Sequence, residues 1–165
     1  MKYLLLSIFL ILTNLGLGQN NNTQELGLKS ENEKWIQNLE KIDSKEMQIH
    51  FIIEKIKQDS IIDYKKVSDK IVIKHGENLN DALKRQTKCK IMFVLFQKKV
   101  GHLLDLNEYP NYSVILKYLT NETINSIEIL KDEEATTLFG SRAICGVVKL
   151  NSNDRKLRKL IKKSL

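Results

Sequence analysis

The chain holds few of the residues that organise metal, redox or nucleotide chemistry. Its 165 residues include two cysteines, three histidines, one proline, one tryptophan and seven glycines. Cys89 and Cys145 are widely separated, which excludes a C-x-x-C redox pair and a zinc-type spacing. His50, His75 and His102 are scattered and form no H-x-x-x-H pair, so no metal site is expected. There is no glycine-rich phosphate loop. Glu133 and Glu134 are adjacent carboxylates, but they stand where the start of a helix collects acids. The expectation is a protein with no cofactor and no catalytic constellation, not an enzyme. Beyond the first residues no apolar run approaches the ~20 residues that a spanning helix needs.

The residues that are present begin with "MKYLLLSIFLILTNLGLGQ". A basic residue, a short apolar run and then small and polar residues form the pattern of a signal peptide over 1–18. No cysteine stands after it to carry a lipid. The expected destination is export, to the periplasm or outer-membrane periphery of a Gram-negative bacterium. The net charge of +7 is a property of the end of the chain. "RKLRKLIKKSL" holds Arg155, Lys156, Arg158, Lys159, Lys162 and Lys163; apart from these and Lys2, basic and acidic residues balance. A neutral body gives no support to nucleic-acid binding. In an oxidising compartment Cys89 and Cys145 can pair if their strand ends lie within ~7 Å; two buried thiols are the other reading.

The pattern along the chain divides it into five segments. Residues 19–29 form a polar mature N-terminus. Residues 30–69 read as helical. There Ser30 and Glu33 make a capping box, with Trp35, Leu39 and Ile42 on one face of a helix over 31–42. From Asp43 to Gln58 alternation suits a strand and Ile49, Ile52, Ile53 and Ile56 suit a helical face; the interspersed Lys and Glu favour helix, with Asp43 and Glu46 as its cap. Ile61 to Ser68 shows no clear pattern. In 70–152, "KIVIKHG", "ENLNDALKRQ" and "CKIMFVLFQKKVG" read as strand, helix and strand, a βαβ-like unit. "YSVILKYLTN" reads as a further helix. Residues 153–165 form a basic amphipathic tail, with Leu157, Leu160 and Ile161 on its apolar side.

The densest pattern is "INSIEILKDEEATTLFGSRAICGVVKL", Ile124 to Leu150. It reads as a strand buried on both faces, a short helix capped by Asp132 and stopped by Gly140, a tight turn, and a second strand opened by Gly146. In order and spacing it resembles the C-terminal half of the plug domain of TonB-dependent outer-membrane receptors. Ile124, Ile127, Glu128, Leu130, Lys131, Asp132, Ala135, Phe139, Gly140, Ser141, Arg142, Gly146 and Val147 carry the likeness. "NLNDALKRQ" and "IMFVLFQKKVG" resemble the plug's first helix and central strand. Phe96-Gln97-Lys98-Lys99 stands where the family has a Val-Asp-Gly turn, and Gln86 to Lys88 where it has Pro-Gly-Val. The stretch after Asn151 is too short for the barrel that such receptors close around their plug. The resemblance therefore implies a plug-like domain that is not a transporter by itself.

These readings define the expected fold class and sites. The fold is α+β: a small plug-like mixed β-sheet with packed helices, preceded by an N-terminal helical segment. Ser141 and Arg142 are candidate partner-binding residues; the structural alternative is a salt bridge from Arg142 to Glu128 or Asp132 that locks the turn. Lys156, Arg158, Lys159, Lys162 and Lys163 are candidates for an acidic protein or an anionic membrane surface; a frayed, solvated end is the alternative. Asp132, Gly140 and Gly146 are structural. The expected role is contact with a protein partner in the envelope, an outer-membrane barrel among the candidates. The other roles considered are a membrane-surface adaptor and an inert receptor-derived remnant.

Overall fold

A computed structural model describes residues 27–61 and 71–164. The expected signal segment, residues 19–26 of the polar stretch after it and the interval 62–70 lie outside the described residues. The described chain is an α+β fold. Its helices are α1 (Lys29–Glu40), α2 (Lys45–Asp59), α3 (Leu79–Gln86), α4 (Ser113–Leu116), α5 (Asp132–Phe139) and α6 (Arg155–Ser164). Its strands are β1 (Met92–Gln97), β2 (Val100–Leu103), β3 (Ser126–Leu130) and β4 (Val147–Ser152). They form one mixed sheet in the order β2-β1-β4-β3, with β1 and β4 parallel and the outer pairs antiparallel.

Strand alternation assigns each sheet face its own apolar cluster. Phe93 and Leu95 of β1, Val148 and Leu150 of β4, and Ile127 and Ile129 of β3 join Ile36, Leu39, Ile49, Ile52 and Ile56 of α1 and α2 on one side. Leu157 and Ile161 of α6 belong to the same cluster. Val94 and Val147 face the other way, onto Ala135 of α5 and Ala143. The N-terminal helices, the sheet and the C-terminal helix thus share one core. Trp35 lies at its edge, stacked on Phe51 at 4.8 Å and meeting Phe93 edge-on at 5.7 Å.

Several local expectations are corrected. The capping box of α1 sits two residues earlier than Ser30 and Glu33: the Glu31 carboxylate accepts from Leu28 N–H at 2.8 Å. The buried residues of α1 are Asn32, Ile36 and Leu39; Leu39 is thus on the expected face, and Trp35 and Ile42 pack half-buried against the same cluster. The segment is helical from Lys45, as favoured, but Ser44, not Asp43, caps α2, accepting from Met47 N–H at 3.4 Å.

Residues 71–74 form no strand. Side chains of α3 take the backbone groups that a ladder would use: Gln86 Oε1 accepts from Val72 N–H at 2.8 Å, and Arg85 donates to Val72 O at 3.0 Å. Ile71, Val72 and Ile73 are left exposed, and no βαβ unit forms there. Arg85 also grips the Glu77 carboxylate through two nitrogens. That contact and the Lys74 N–H hold the Glu77 pKa down to about 2. The long strand expected up to Gly101 is instead a hairpin. The chain reverses at Lys98 and Lys99, with Lys98 at φ 58° and Gln97 opposite Val100, the backbone that a two-residue hairpin requires.

Candidate functional site

The stretch 124–152 holds half of the candidate residues. Among the described residues β3 is an edge strand that pairs only with β4, Ile127 lying opposite Leu150 and Ile129 opposite Val148. It is half-buried, and only Ile124, just before it, is fully enclosed. A strand buried on both faces is therefore corrected to an edge strand. Its outward Glu128 is paired with Lys149 at 2.7 Å, which lowers the Glu128 pKa. Lys149 also lies over the Phe96 ring at 5.0 Å.

Asp132 does not cap α5. It is the first helical residue, at φ 49°, and its carboxylate makes no capping hydrogen bond. Its side chain is 80% exposed, 3.7 Å from Lys29 Nζ. Gly140 does end the helix, at φ 75° and ψ −170°, with its N–H donating to Thr136 O at 2.9 Å. That region is essentially closed to residues with a Cβ. A 3₁₀ turn over Ser141–Ala143 comes next, and Gly146 at φ 94° feeds β4. A Cβ on Gly146 would stand 2.7 Å from Ile36 Cδ1 and 3.2 Å from the Leu130 carbonyl oxygen. Gly146 is thus the point where the turn packs on α1.

The side chain of Arg142 does not reach Glu128 or Asp132. It pairs with Glu108, from the connector after β2. Glu108 comes after the hairpin, and no local spacing links it to Arg142. Both partners are substantially exposed, at 61% and 40%. Ser141 and Arg142 border a cavity of about 540 Å³ that runs inward to Asp59 at the end of α2.

Cys89 and Cys145 form a disulfide, with Cα atoms 5.9 Å apart. It ties the approach to β1 to the approach to β4, consistent with the parallel alignment of those strands. Asn32, 3% exposed, packs on it, its Nδ2 lying 2.8 Å from Cys89 O and 3.4 Å from Cys145 Sγ. Nothing in the spacing of Asn32 within a polar helix start announced this role.

The C-terminal helix is docked. Asp154 caps it, accepting from Leu157 N–H at 2.6 Å. Leu157 and Ile161 are buried in the main cluster, which rules out the frayed end. The same burial removes the apolar stripe that would enter a bilayer. Arg155, Lys156, Lys159, Lys162 and Lys163 are exposed and Arg158 is half-buried. None of these six makes an ion pair among the described residues. Cations three and four residues apart on a helix repel one another by about 0.2–0.5 kcal/mol per pair. Burial of two large aliphatic side chains, at about 1.5–3 kcal/mol each, outweighs that repulsion.

Among the described residues no three His, Cys, Asp or Glu side chains are grouped to hold a metal ion, and no helix is long and apolar enough to cross a membrane. No family model, curated protein or solved structure matches this chain.

Proposed function

We propose that this is an exported, non-enzymatic protein of the cell envelope, whose plug-like portion, over 70–152, serves with the basic helix α6 docked on it as a protein-interaction module and is not a transporter by itself. The observation that carries the reading is the uncompensated basic face of α6, held rigidly by Leu157 and Ile161 in the core. A fixed array of cations attracts and orients an acidic surface, and its effect falls with salt. The plug resemblance of Ile124 to Leu150 supports an outer-membrane barrel as that partner. Arg142, exposed at the turn of the plug-like portion and paired with Glu108, lies outside this basic face. The mechanism is surface complementarity, with no bond made or broken.

The membrane-surface reading survives only in a weaker form. With its apolar stripe buried, α6 offers anionic lipid electrostatic attraction alone, about 1 kcal/mol per basic residue near the surface. One experiment separates the readings. Purified protein and the variant K156E/K159E/K163E are chemically cross-linked in a Gram-negative outer-membrane extract and, in parallel, sedimented with phosphatidylserine vesicles. The proposal expects a barrel protein cross-linked to the wild type, reduced by salt and lost in the variant, with weak vesicle binding. Strong, charge-dependent vesicle binding with no cross-linked protein would transfer the function to the membrane surface. Neither form of binding would leave the module without a partner and overturn both readings.

A further inference from the structure

We propose that the cavity between the end of α2 and the β1–β2 hairpin binds a neutral, mainly apolar small molecule that carries a hydroxyl group, with Asp59 as the acceptor for that hydroxyl. This site is independent of the basic face and of the interaction reading above. Its volume of about 540 Å³ falls in the range of roughly 300–1,000 Å³ typical of small-molecule sites. The apolar part of the lining is supplied by Ile56, Met92, Phe93, Leu103, Leu104 and Ile144, and charged and polar side chains complete it.

Asp59 is 2% exposed, and its two oxygens are treated differently. Oδ1 accepts from Lys55 Nζ at 2.9 Å, while Oδ2 has no hydrogen-bond partner among the described residues. A buried acceptor left unpaired costs about 1–3 kcal/mol, and an apolar residue at the same place would avoid that cost. Burial raises the pKa of this carboxyl against the opposing effect of Lys55, so the ionised form is held in an unfavourable environment. A donor placed at Oδ2 relieves both penalties. One water occupies about 30 Å³ and needs two to four polar partners. Beside Ile56, Leu103, Leu104 and Ile144 water finds few such partners, so that part of the space favours an aliphatic group.

The ligand's charge is set by the other lining groups. Lys90 is held by both oxygens of Asp105, at 3.0 and 2.9 Å, and Arg142 by Glu108. These charges neutralise one another within the lining, so an ionic ligand would meet a committed counter-charge. A hydroxyl donates to Oδ2 without adding charge, and the aliphatic remainder fills the apolar volume.

The test is a ¹H–¹⁵N NMR titration of the full chain with 1-hexanol, hexylammonium and hexanoate as probes. The proposal expects saturable shifts for hexanol at the amides of Ile56, Met92, Leu104 and Ile144, with weaker binding of both ions. D59L removes the acceptor and is expected to weaken hexanol at least about fivefold, equivalent to a hydrogen bond of about 1 kcal/mol. M92W fills the cavity from the strand side and is expected to abolish binding. It serves as the readout should D59L lose its dispersed spectrum. Tighter binding of either ion, equal hexanol affinity in folded D59L, undiminished hexanol binding in M92W, or shifts that fail to saturate would each overturn the proposal.

Discussion

Replacing Gly146 with alanine tests the geometry of the strand–helix–turn–strand unit at its most constrained point. Two costs add there. The backbone sits at φ 94°, where a residue with a Cβ is strained by about 1–3 kcal/mol. The new methyl also meets Ile36 Cδ1 at 2.7 Å and the Leu130 carbonyl at 3.2 Å. Ile36 can shift, but it is 2% exposed within a close-packed cluster, so overpacking adds about 1–3 kcal/mol. The expected loss is therefore about 2–6 kcal/mol. Gly140 provides the control: it has φ 75° but nothing within 4 Å of a built Cβ. Its alanine variant carries the conformational cost alone, about 1–3 kcal/mol. Urea denaturation followed by Trp35 fluorescence gives both values under one unfolding slope. G146A should exceed G140A by at least about 1 kcal/mol. Equal losses would refute the close approach of the turn to α1; no loss in either variant would refute the positive-φ backbone.

Other consequences can be checked with the same assay. Because folding raises the Asp59 pKa, its contribution to stability is fully present below the unfolded value of about 3.9 and is lost as pH rises through the higher folded value. The wild type should thus gain stability relative to D59N as pH falls through that window, measured as the difference in Tm between the two proteins from about pH 7 to about 4.5. Reducing the Cys89–Cys145 disulfide, which closes a loop with a sequence separation of 56, should cost up to about 4 kcal/mol on the chain-entropy estimate; urea midpoints with and without reductant give the value. R142A should change stability by less than about 1 kcal/mol, since its pair with Glu108 is exposed, and a larger loss would make that pair a lock on the turn.

The sequence patterns were most informative where one periodicity dominated. Ile49, Ile52 and Ile56 defined the buried face of α2, and Gly140 adopts the positive φ that its place at the helix end implied. The mixed sheet was legible in runs such as "MFVLF" and "GVVKL". Three kinds of feature were hidden. The hairpin at Lys98 and Lys99 lacks the Asn-Gly or Gly signal that marks such turns, because lysine there bears the positive φ itself. The failure of 71–74 to form a strand depends on Gln86 and Arg85 folding back onto Val72, a tertiary contact that β propensity cannot anticipate. The Arg142–Glu108 pair and the cavity at Asp59 join residues far apart in the chain, with no motif between them. The amphipathic pattern of α6 was visible, but the surface that its apolar side would meet was not. Lipid and protein core accept the same leucines, and only packing distinguishes them.

The basic face acts as a fixed surface only if α6 is an integral part of the fold. Native-state amide hydrogen exchange of Arg155–Ser164 measures this directly. The amides of Arg158 and Ile161 should be protected by a free energy close to that of the central strands β1 and β4. Exchange across the helix at the rate of an unstructured peptide would contradict the account, leaving a solvated tail in place of a docked basic face.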